Sequence, residues 1–114
     1  MKTTPPAALF RAFADPTRLR LLHALARGEE LCVCDLTALL GSPQSTVSRH
    51  LGTLKAAGLV ESSSRGKWEY YRVAAPRAEL PGRLLACVSG CLGELPEMKA
   101  DAARLRRRAK AACE

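Results

Sequence analysis

Two short amphipathic segments follow each other between residues 31 and 58, with only a tight turn between them. The first, LCVCDLTALLG, carries leucines at helical spacing and closes on Gly41, which predicts a short helix. The second, SPQSTVSRHLGTLKAAG, opens with Ser42 as the cap and Pro43 in the first turn and ends at Gly58. Two helices joined in this way are the geometry of a helix-turn-helix.

The second helix of this pair has the side chains that a groove-reading helix needs. Small polar residues come first and positive charge follows. Glutamine and arginine bond base edges in a bidentate manner, while serine and threonine are short enough to let the backbone approach phosphates. An ordinary polar helix face is the alternative if the segment stands alone. The candidate DNA contacts on this helix are Gln44, Ser45, Thr46, Ser48, Arg49 and His50.

A basic β-hairpin is predicted directly after that helix. Leu59 to Ser62 form one strand, Ser63 to Lys67 a turn, and Trp68 to Val73 the return strand. Arg65 and Lys67 lie at its tip and are further candidate DNA contacts. A basic hairpin in this place is the wing of a winged helix-turn-helix, which contacts the DNA backbone or minor groove.

The N-terminal third predicts two more helices. PAALFRAFAD stops at Asp15, which with Pro16 forms the cap and first position of a second helix that ends at Gly28. Apolar residues of this second helix fall on one stripe, which indicates a core-facing amphipathic helix. They are Leu19, Leu22, Leu25 and Ala26.

Residues 76–114 predict C-terminal helices with more apolar surface than a small domain covers by itself. A dimer interface would use that surface. The basic cluster from Arg104 to Lys110 is either an electrostatic DNA contact or a solvated helical tail. The apolar residues are Leu80, Leu84, Leu85, Val88, Leu92 and Leu95. At 114 residues the whole chain, 1–114, is expected to form a single winged helix-turn-helix domain. The fold class is mainly α with a β-hairpin wing, homodimeric through its terminal helices.

The net charge and the number of cysteines limit the classes of partner and chemistry that the chain can have. A net charge of +7 suggests a polyanionic partner, here double-stranded DNA. No run reaches the roughly 18 apolar residues of a membrane span, so we expect a cytoplasmic protein without a membrane partner. Five cysteines, an odd number, in a reducing compartment indicate free thiols that serve metal binding, redox chemistry or packing.

The order of FRAFADPTRLRLLHAL, ELCVCDLTALLG, SPQSTVSRHLGTLKAAGLV and RGKWEYYRV closely resembles the ArsR/SmtB family of metal-responsive bacterial repressors. The resemblance covers about Leu9 to Val73. It implies a winged-helix homodimer that sits on its own promoter and leaves it when an inducer binds. The ELCVCDL segment is similar to the arsenic-responsive branch, in which the two cysteines, here Cys32 and Cys34, bind trivalent arsenic or antimony. No organic cofactor is implied.

The third arsenic ligand departs from the family pattern. Arsenic sensors of this type often place a third cysteine three residues after the second, where this chain has Thr37. Cys87, Cys91 and Cys113 are the candidates, and Cys87 and Cys91 share one helical face at a spacing of four. Whether they complete the first site, bind separately or pack as small apolar residues stays open.

Other sensing chemistries match the sequence less well. Cadmium and lead sensors with the same motif also use cysteines from an N-terminal extension, and none precedes Cys32. Zinc at the dimer helix needs Asp and His ligands near the C-terminus. Neither His23, which we assign to the core, nor His50 lies there.

The spacing of Cys32 and Cys34 has a geometric consequence inside a helix. Residues at i and i+2 lie about 200 degrees apart around the axis, so both thiols face one ion only if the first turn unwinds. Ion capture would then shift the adjoining DNA-reading helix. Thiol oxidation, or another soft metal, is the alternative signal for the same module, although a disulfide within CVC would close a small, strained ring. A thiol redox enzyme is the distant alternative, because no acid/base partner or C-x-x-C lies nearby.

Overall fold

A computed structural model describes residues 4–27, 30–74 and 79–111. Helices predominate in these residues, and the strands form one small sheet. In chain order the elements are α1 (Pro6–Phe13), α2 (Pro16–Leu25), β1 (Leu31–Cys32), α3 (Val33–Leu40), α4 (Gln44–Ala56), β2 (Val60–Arg65), β3 (Trp68–Val73), α5 (Glu79–Gly90), a 3-10 turn (Leu92–Glu94) and α6 (Pro96–Ala111).

Helix α2 is the centre of the fold. The side chain of Asp15 accepts a hydrogen bond from the Arg18 backbone N–H at 3.0 Å, and Pro16 is the first helical residue, so the predicted start is confirmed. Residues 21–25 are all buried, which a single apolar stripe does not explain. They are buried because α2 packs against every other helix of the described chain. The helix ends at Leu25, and the predicted end at Gly28 lies outside the described residues.

The start of α3 differs from the sequence prediction. Leu31 and Cys32 do not begin the helix but form strand β1, which pairs with Tyr71 and Tyr70 of β3. Helix α3 therefore begins at Val33, and it closes on Gly41 in the left-handed conformation, with φ of 65°, as glycine after a helix permits. The prediction of the start was wrong because the exposed edge of β3 supplies backbone partners that a helix-period pattern does not reveal.

Helix α4 follows α3 and packs against it, which confirms the helix-turn-helix. Its N-cap is Pro43 and no side chain caps it, so the prediction that Ser42 caps the helix was wrong. Pro43 has an extended backbone (ψ of 148°), which delays the first helical residue to Gln44. Fully buried apolar side chains fix α4 on the core. They are Val47, Leu51 and Leu54.

The wing is a three-stranded antiparallel sheet in the order β1-β3-β2. Arg65 pairs with Trp68, so the turn consists of Gly66 and Lys67 alone. The predicted turn over residues 63–67 was too long, because Gly66 takes a φ of 62° and permits a two-residue hairpin that leaves residues 63–65 in the strand.

The C-terminal helices cover the other side of α2. Leu85 and Val88 of α5 and Met98 and Leu105 of α6 are buried, while Leu95 is 47% exposed. Much of the predicted apolar surface is thus covered within the protomer. No helix among the described residues combines the length and apolar character that crossing a membrane requires.

A buried ion pair fixes α6 to α2. The carboxylate of Asp101 is fully buried and accepts hydrogen bonds from Nε and Nη2 of Arg20, each at 2.9 Å. Nη1 of Arg104 donates to the same carboxylate at 3.0 Å. Arg20 also donates to the carbonyl of Leu39 at 3.5 Å, so this cluster joins α2, α3 and α6.

Candidate functional site

Cys32 and Cys34 lie together at the junction of β1 and α3. Cys32 is 4% exposed and Cys34 is exposed, and a disulfide joins them across a Cα–Cα distance of 5.3 Å. The expectation that these two thiols are free was wrong for this structure. The physical reason is that Cys32 is the N-cap with an extended backbone (φ of −81°, ψ of 160°), so the opposite-face geometry of two helical residues does not apply.

Asp35 completes this cluster, and the sequence analysis missed it. Its backbone N–H donates to Sγ of Cys32 at 3.4 Å, and the Cys32 backbone N–H donates to Oδ2 of Asp35 at 3.2 Å. This reciprocal pair is a capping box with the Cys32 sulfur in place of the usual hydroxyl oxygen. A carboxyl residue three positions after a cap is the signal that could have identified Asp35. The two sulfurs and one Asp35 oxygen lie within 4.8 Å of one another.

The remaining cysteines are not part of that cluster in the described chain. Cys87 and Cys91 are free and exposed on and just after α5. The groups of three or more potential metal ligands among the described residues include neither of them. Cys113 lies outside the described residues. The described residues of one protomer therefore bring two sulfurs and one carboxylate together at α3.

The exposed face of α4 carries most of the predicted DNA contacts. Gln44, Ser45, Ser48 and Arg49 are exposed, and Thr46 is partly exposed. These side chains share the face of α4 that does not pack on the core. The arrangement supplies hydrogen-bond donors, acceptors and one guanidinium along a solvent-facing helix, as major-groove recognition requires.

His50 points the other way. It is 8% exposed, and its Nδ1 lies 3.2 Å from Nη1 of Arg18 and 4.0 Å from Oδ2 of Asp15. Arg18 also donates to the carbonyls of Ala12 at 2.8 Å and Arg11 at 3.0 Å. His50 thus connects α4 to the end of α1 and the start of α2, and we leave it out of the proposed DNA-contacting set.

The two basic residues of the wing differ in their surroundings. Lys67 is exposed in the turn. The guanidinium of Arg65 forms an ion pair with Glu30 and lies 4.3 Å above the centre of the Tyr70 ring. Glu30 also lies 3.5 Å from Nη1 of Arg72. A carboxylate before β1 thus offsets part of the positive charge of the wing.

His23 lies in the core, as the sequence indicated. It is 5% exposed on α2, and its Nδ1 is buried without a hydrogen-bond partner among the described residues. Burial, with a smaller contribution from Arg27, lowers the pKa of His23 below its ordinary 6.5. Burial therefore favours the neutral form of this imidazole.

Sequence comparisons agree with this architecture. The family described as "Bacterial regulatory protein, arsR family" matches residues 15–62. The chain is 40% identical over 103 residues to the arsenic resistance transcriptional regulator ArsR1 of Pseudomonas putida, which covers 90% of this chain and 77% of that protein. It is 42% identical over 73 residues to the uncharacterized HTH-type transcriptional regulator MJ1325 of Methanocaldococcus jannaschii, covering 64% and 82% of the two chains.

Similar solved structures include HlyU from Vibrio cholerae, with a TM-score of 0.65, 28% identity and coverage of 79% of this chain and 89% of that one. The antimony-specific transcriptional repressor AntR has a TM-score of 0.62, 35% identity and coverage of 82% and 86%. A homodimeric winged helix-turn-helix domain from Mycobacterium bovis has a TM-score of 0.63, 36% identity and coverage of 77% and 78%. The fold and the matched segments show that the chain belongs to the ArsR family of winged helix-turn-helix transcriptional repressors, which are DNA-binding regulators and not enzymes.

Proposed function

We propose that this repressor binds operator DNA as a homodimer and releases it when trivalent arsenic, or antimony, binds the reduced thiols of Cys32 and Cys34. The observation that carries the proposal is the position of Cys32, which is at once the cap of α3 and the end of β1. Soft thiolates select thiophilic ions, and both sulfurs already lie beside each other. The names of the relatives ArsR1 and AntR refer to arsenic and antimony, which supports this inducer class.

Operator binding is assigned to α4 and the wing. We place the exposed residues Gln44, Ser45, Thr46, Ser48 and Arg49 in the major groove. Arg65 and Lys67 at the hairpin tip are assigned to the phosphate backbone beside it. His50 contributes by holding α4 against Arg18 and not by touching DNA.

Ion capture acts through the cap of α3. In the structure Sγ of Cys32 accepts the Asp35 N–H while it is bonded to Cys34, so the proposal requires that an ion held between the two sulfurs displaces Sγ of Cys32 and thereby weakens this hydrogen bond. Losing a cap costs about 1 kcal/mol of helix stability. If operator binding needs both caps of a homodimer, the two losses together weaken DNA binding by at most roughly 30-fold. Because β1 pairs with Tyr70 and Tyr71, the same displacement reaches the wing. Displacement of the Cys32 sulfur would therefore affect α4, which packs against α3, and the wing, which pairs with β1.

Reduction must precede ion binding, because the disulfide occupies both sulfurs. Two electrons and two protons from a thiol reductant convert it to the two thiols. The carboxylate of Asp35 is then the nearest further donor of the described cluster. Cys87 and Cys91 remain candidate third ligands if they reach the cluster from the partner protomer, and Cys113, which lies outside the described residues, remains a candidate as well.

Dimerisation is assigned to residues 76–114. Leu95 is 47% exposed beside the 3-10 turn, and a second copy would cover it. The similar domain from Mycobacterium bovis is described as homodimeric, which supports a dimer here.

The test is anisotropy of a labelled duplex from the upstream region of the gene, bound by reduced protein and then titrated with arsenite. We expect the parent to be released, whereas Cys32→Ser and Cys34→Ser bind DNA but stay bound. Cys87→Ser tests this candidate third ligand: a response to arsenite like that of the parent removes Cys87 from the ligand set. Arg49→Ala should weaken DNA binding with or without arsenite. The inducer assignment is wrong if both serine variants release DNA at the arsenite concentration that releases the parent.

The disulfide supports a second candidate function, in which oxidation of the same two thiols is the signal. In that case an oxidant releases the parent from DNA and dithiothreitol restores binding, while arsenite has no effect on the reduced protein. Cys34→Ser abolishes the response to oxidant. The same anisotropy assay separates the two functions.

A further inference from the structure

Trp68 is an exposed aromatic residue at the tip of the wing. It is 50% exposed, although it begins strand β3 and pairs with Arg65 across the turn. An indole that stays half in water is typical of a contact surface, because its ring offers a large apolar area and its N–H a hydrogen-bond donor. Trp68 lies outside residues 76–114, which are assigned to dimerisation, so a second copy of the chain is not expected to cover it.

The tip of the hairpin is narrow. Gly66 and Lys67 alone form the turn, and no other part of the described chain comes within 4 Å of the position that a Cβ on Gly66 would take. The guanidinium of Arg65 does not widen the tip, because it is turned back toward Glu30 and lies 4.3 Å above the centre of the Tyr70 ring. The end of the wing is therefore thin enough to enter the minor groove, which is about 6 Å wide.

The charges beside Trp68 suit a polyanion. Lys67 precedes it and is exposed, and Arg65 is its cross-strand neighbour on the same face of the hairpin. Glu69 follows it but projects from the opposite face, where its carboxylate accepts a hydrogen bond from Oγ of Ser64 at 2.6 Å. The charged side chains that flank the indole in the turn and in the facing pair are thus cationic.

We propose that Trp68 is a specificity-determining residue that reads the minor groove beside the bases contacted by α4, an inference that rests on the operator binding proposed above. The indole Nε1–H is a donor, and A·T and T·A pairs both present acceptors in the minor groove, N3 of adenine and O2 of thymine. A G·C pair adds the N2 amino group of guanine, which is itself a donor and occupies the space that the ring needs. Trp68 should therefore favour A·T or T·A over G·C at the pair it contacts.

Inosine separates the readout of the two grooves. An I·C pair has the major-groove groups of G·C but lacks the N2 amino group, so its minor groove resembles that of A·T. The duplex from the upstream region is prepared in two series, in which single A·T pairs are changed to G·C or to I·C, and anisotropy gives its affinity for the full-length reduced protein. At the pair that Trp68 contacts, G·C should weaken binding about 5-fold or more and I·C should not. At pairs read by α4 in the major groove, both changes should weaken binding.

Two variants of neighbouring residues distinguish base reading from general affinity. Trp68→Ala removes the ring and its donor and should bind the G·C and I·C duplexes with equal affinity at that pair. Lys67→Ala is the matched control: it removes a phosphate contact, which carries no sequence information, and should weaken binding to all duplexes by the same factor. Circular dichroism and sedimentation check that both variants are folded and have the oligomeric state of the parent.

Trp68 is the single tryptophan of the chain, so its fluorescence reports the contact directly. Quenching by acrylamide should decrease when the unlabelled duplex binds, because the indole leaves water. Arsenite is absent throughout, so the result does not depend on the inducer assignment. A parent that binds none of the duplexes refutes the proposed operator binding and this inference with it. Binding with unchanged quenching, equal losses for G·C and I·C at every pair, or unchanged discrimination in Trp68→Ala overturns this inference alone.

Discussion

Replacing Asp101 with asparagine should destabilise the fold far more than an average substitution. The change preserves the shape of the side chain and removes its charge. Arg20 then remains beside a neutral amide that presents N–H groups to at least one of its two donors. Because Asp101 joins α6 to α2, the loss concerns the whole C-terminal side of the molecule.

The magnitude follows from burial. Removing one partner of a buried ion pair typically costs 3–5 kcal/mol, because the other charge stays desolvated. Asp101 is fully buried, but the side chains of Arg20 and Arg104 are 18% and 49% exposed and keep part of their hydration. We therefore expect the lower end of the range, about 3 kcal/mol, out of a total stability of about 5–15 kcal/mol for a domain of this kind.

Urea unfolding followed by circular dichroism, at one protomer concentration and in reductant throughout, measures the loss. Arg20→Met and the double variant complete a mutant cycle, in which we expect a coupling of about 2 kcal/mol or more. Glu79→Gln is the surface control: its partner Arg83 is 77% exposed, so the loss should stay below about 0.5 kcal/mol. A cost under about 1 kcal/mol for Asp101→Asn would refute the reasoning, since it would mean that water already reaches the pair.

Two further predictions concern a titrating core residue and the charge of the wing. Burial in the folded protein lowers the pKa of His23 below 6.5, so near that pH the folded protein binds fewer protons than the unfolded chain. The contribution of His23 to the free energy of unfolding should therefore be constant above about pH 7 and should fall as the pH decreases below 6.5. In urea titrations at several pH values His23→Gln should flatten this dependence, and an unchanged slope in the variant contradicts the prediction. Glu30→Gln removes the carboxylate beside Arg65 and Arg72. Anisotropy at several salt concentrations should therefore show tighter operator binding with a steeper salt dependence. If neither the affinity nor the salt dependence changes, these arginines do not approach phosphates.

Local signals were sufficient for much of the architecture. The Asp15–Pro16 start of α2 depends on a cap and a proline within one turn, and the closure of α3 depends on Gly41 alone. Strand β1 could not be read from the sequence, because Leu31 and Cys32 are strand residues only through pairing with Tyr71 and Tyr70. That pairing changed the cysteine geometry, because Cys32 lies in β1 before the first residue of α3 and not within the helix.

The burial of His50 was within reach of the sequence. It lies three residues after Val47 and four before Leu54, on the same helical stripe as these buried residues. The assignment to DNA followed the residue type instead of its position. The interaction with Arg18, by contrast, joins residues that are distant in the chain, and no local pattern indicates it.

For the arsenite switch proposed above, the unequal exposure of the two cysteines at α3 sets an order of events in time. Cys34 faces solvent and Cys32 is 4% exposed, so a reagent arriving from outside meets the Cys34 sulfur first. That collision depends on reagent concentration, whereas transfer to Cys32 takes place within the molecule and does not. Rapid mixing of the reduced repressor with arsenite should therefore resolve two phases, with the DNA released in the second. At arsenite concentrations high enough to make the first phase fast, the remaining delay before release of the operator is then set by the protein and not by the dose.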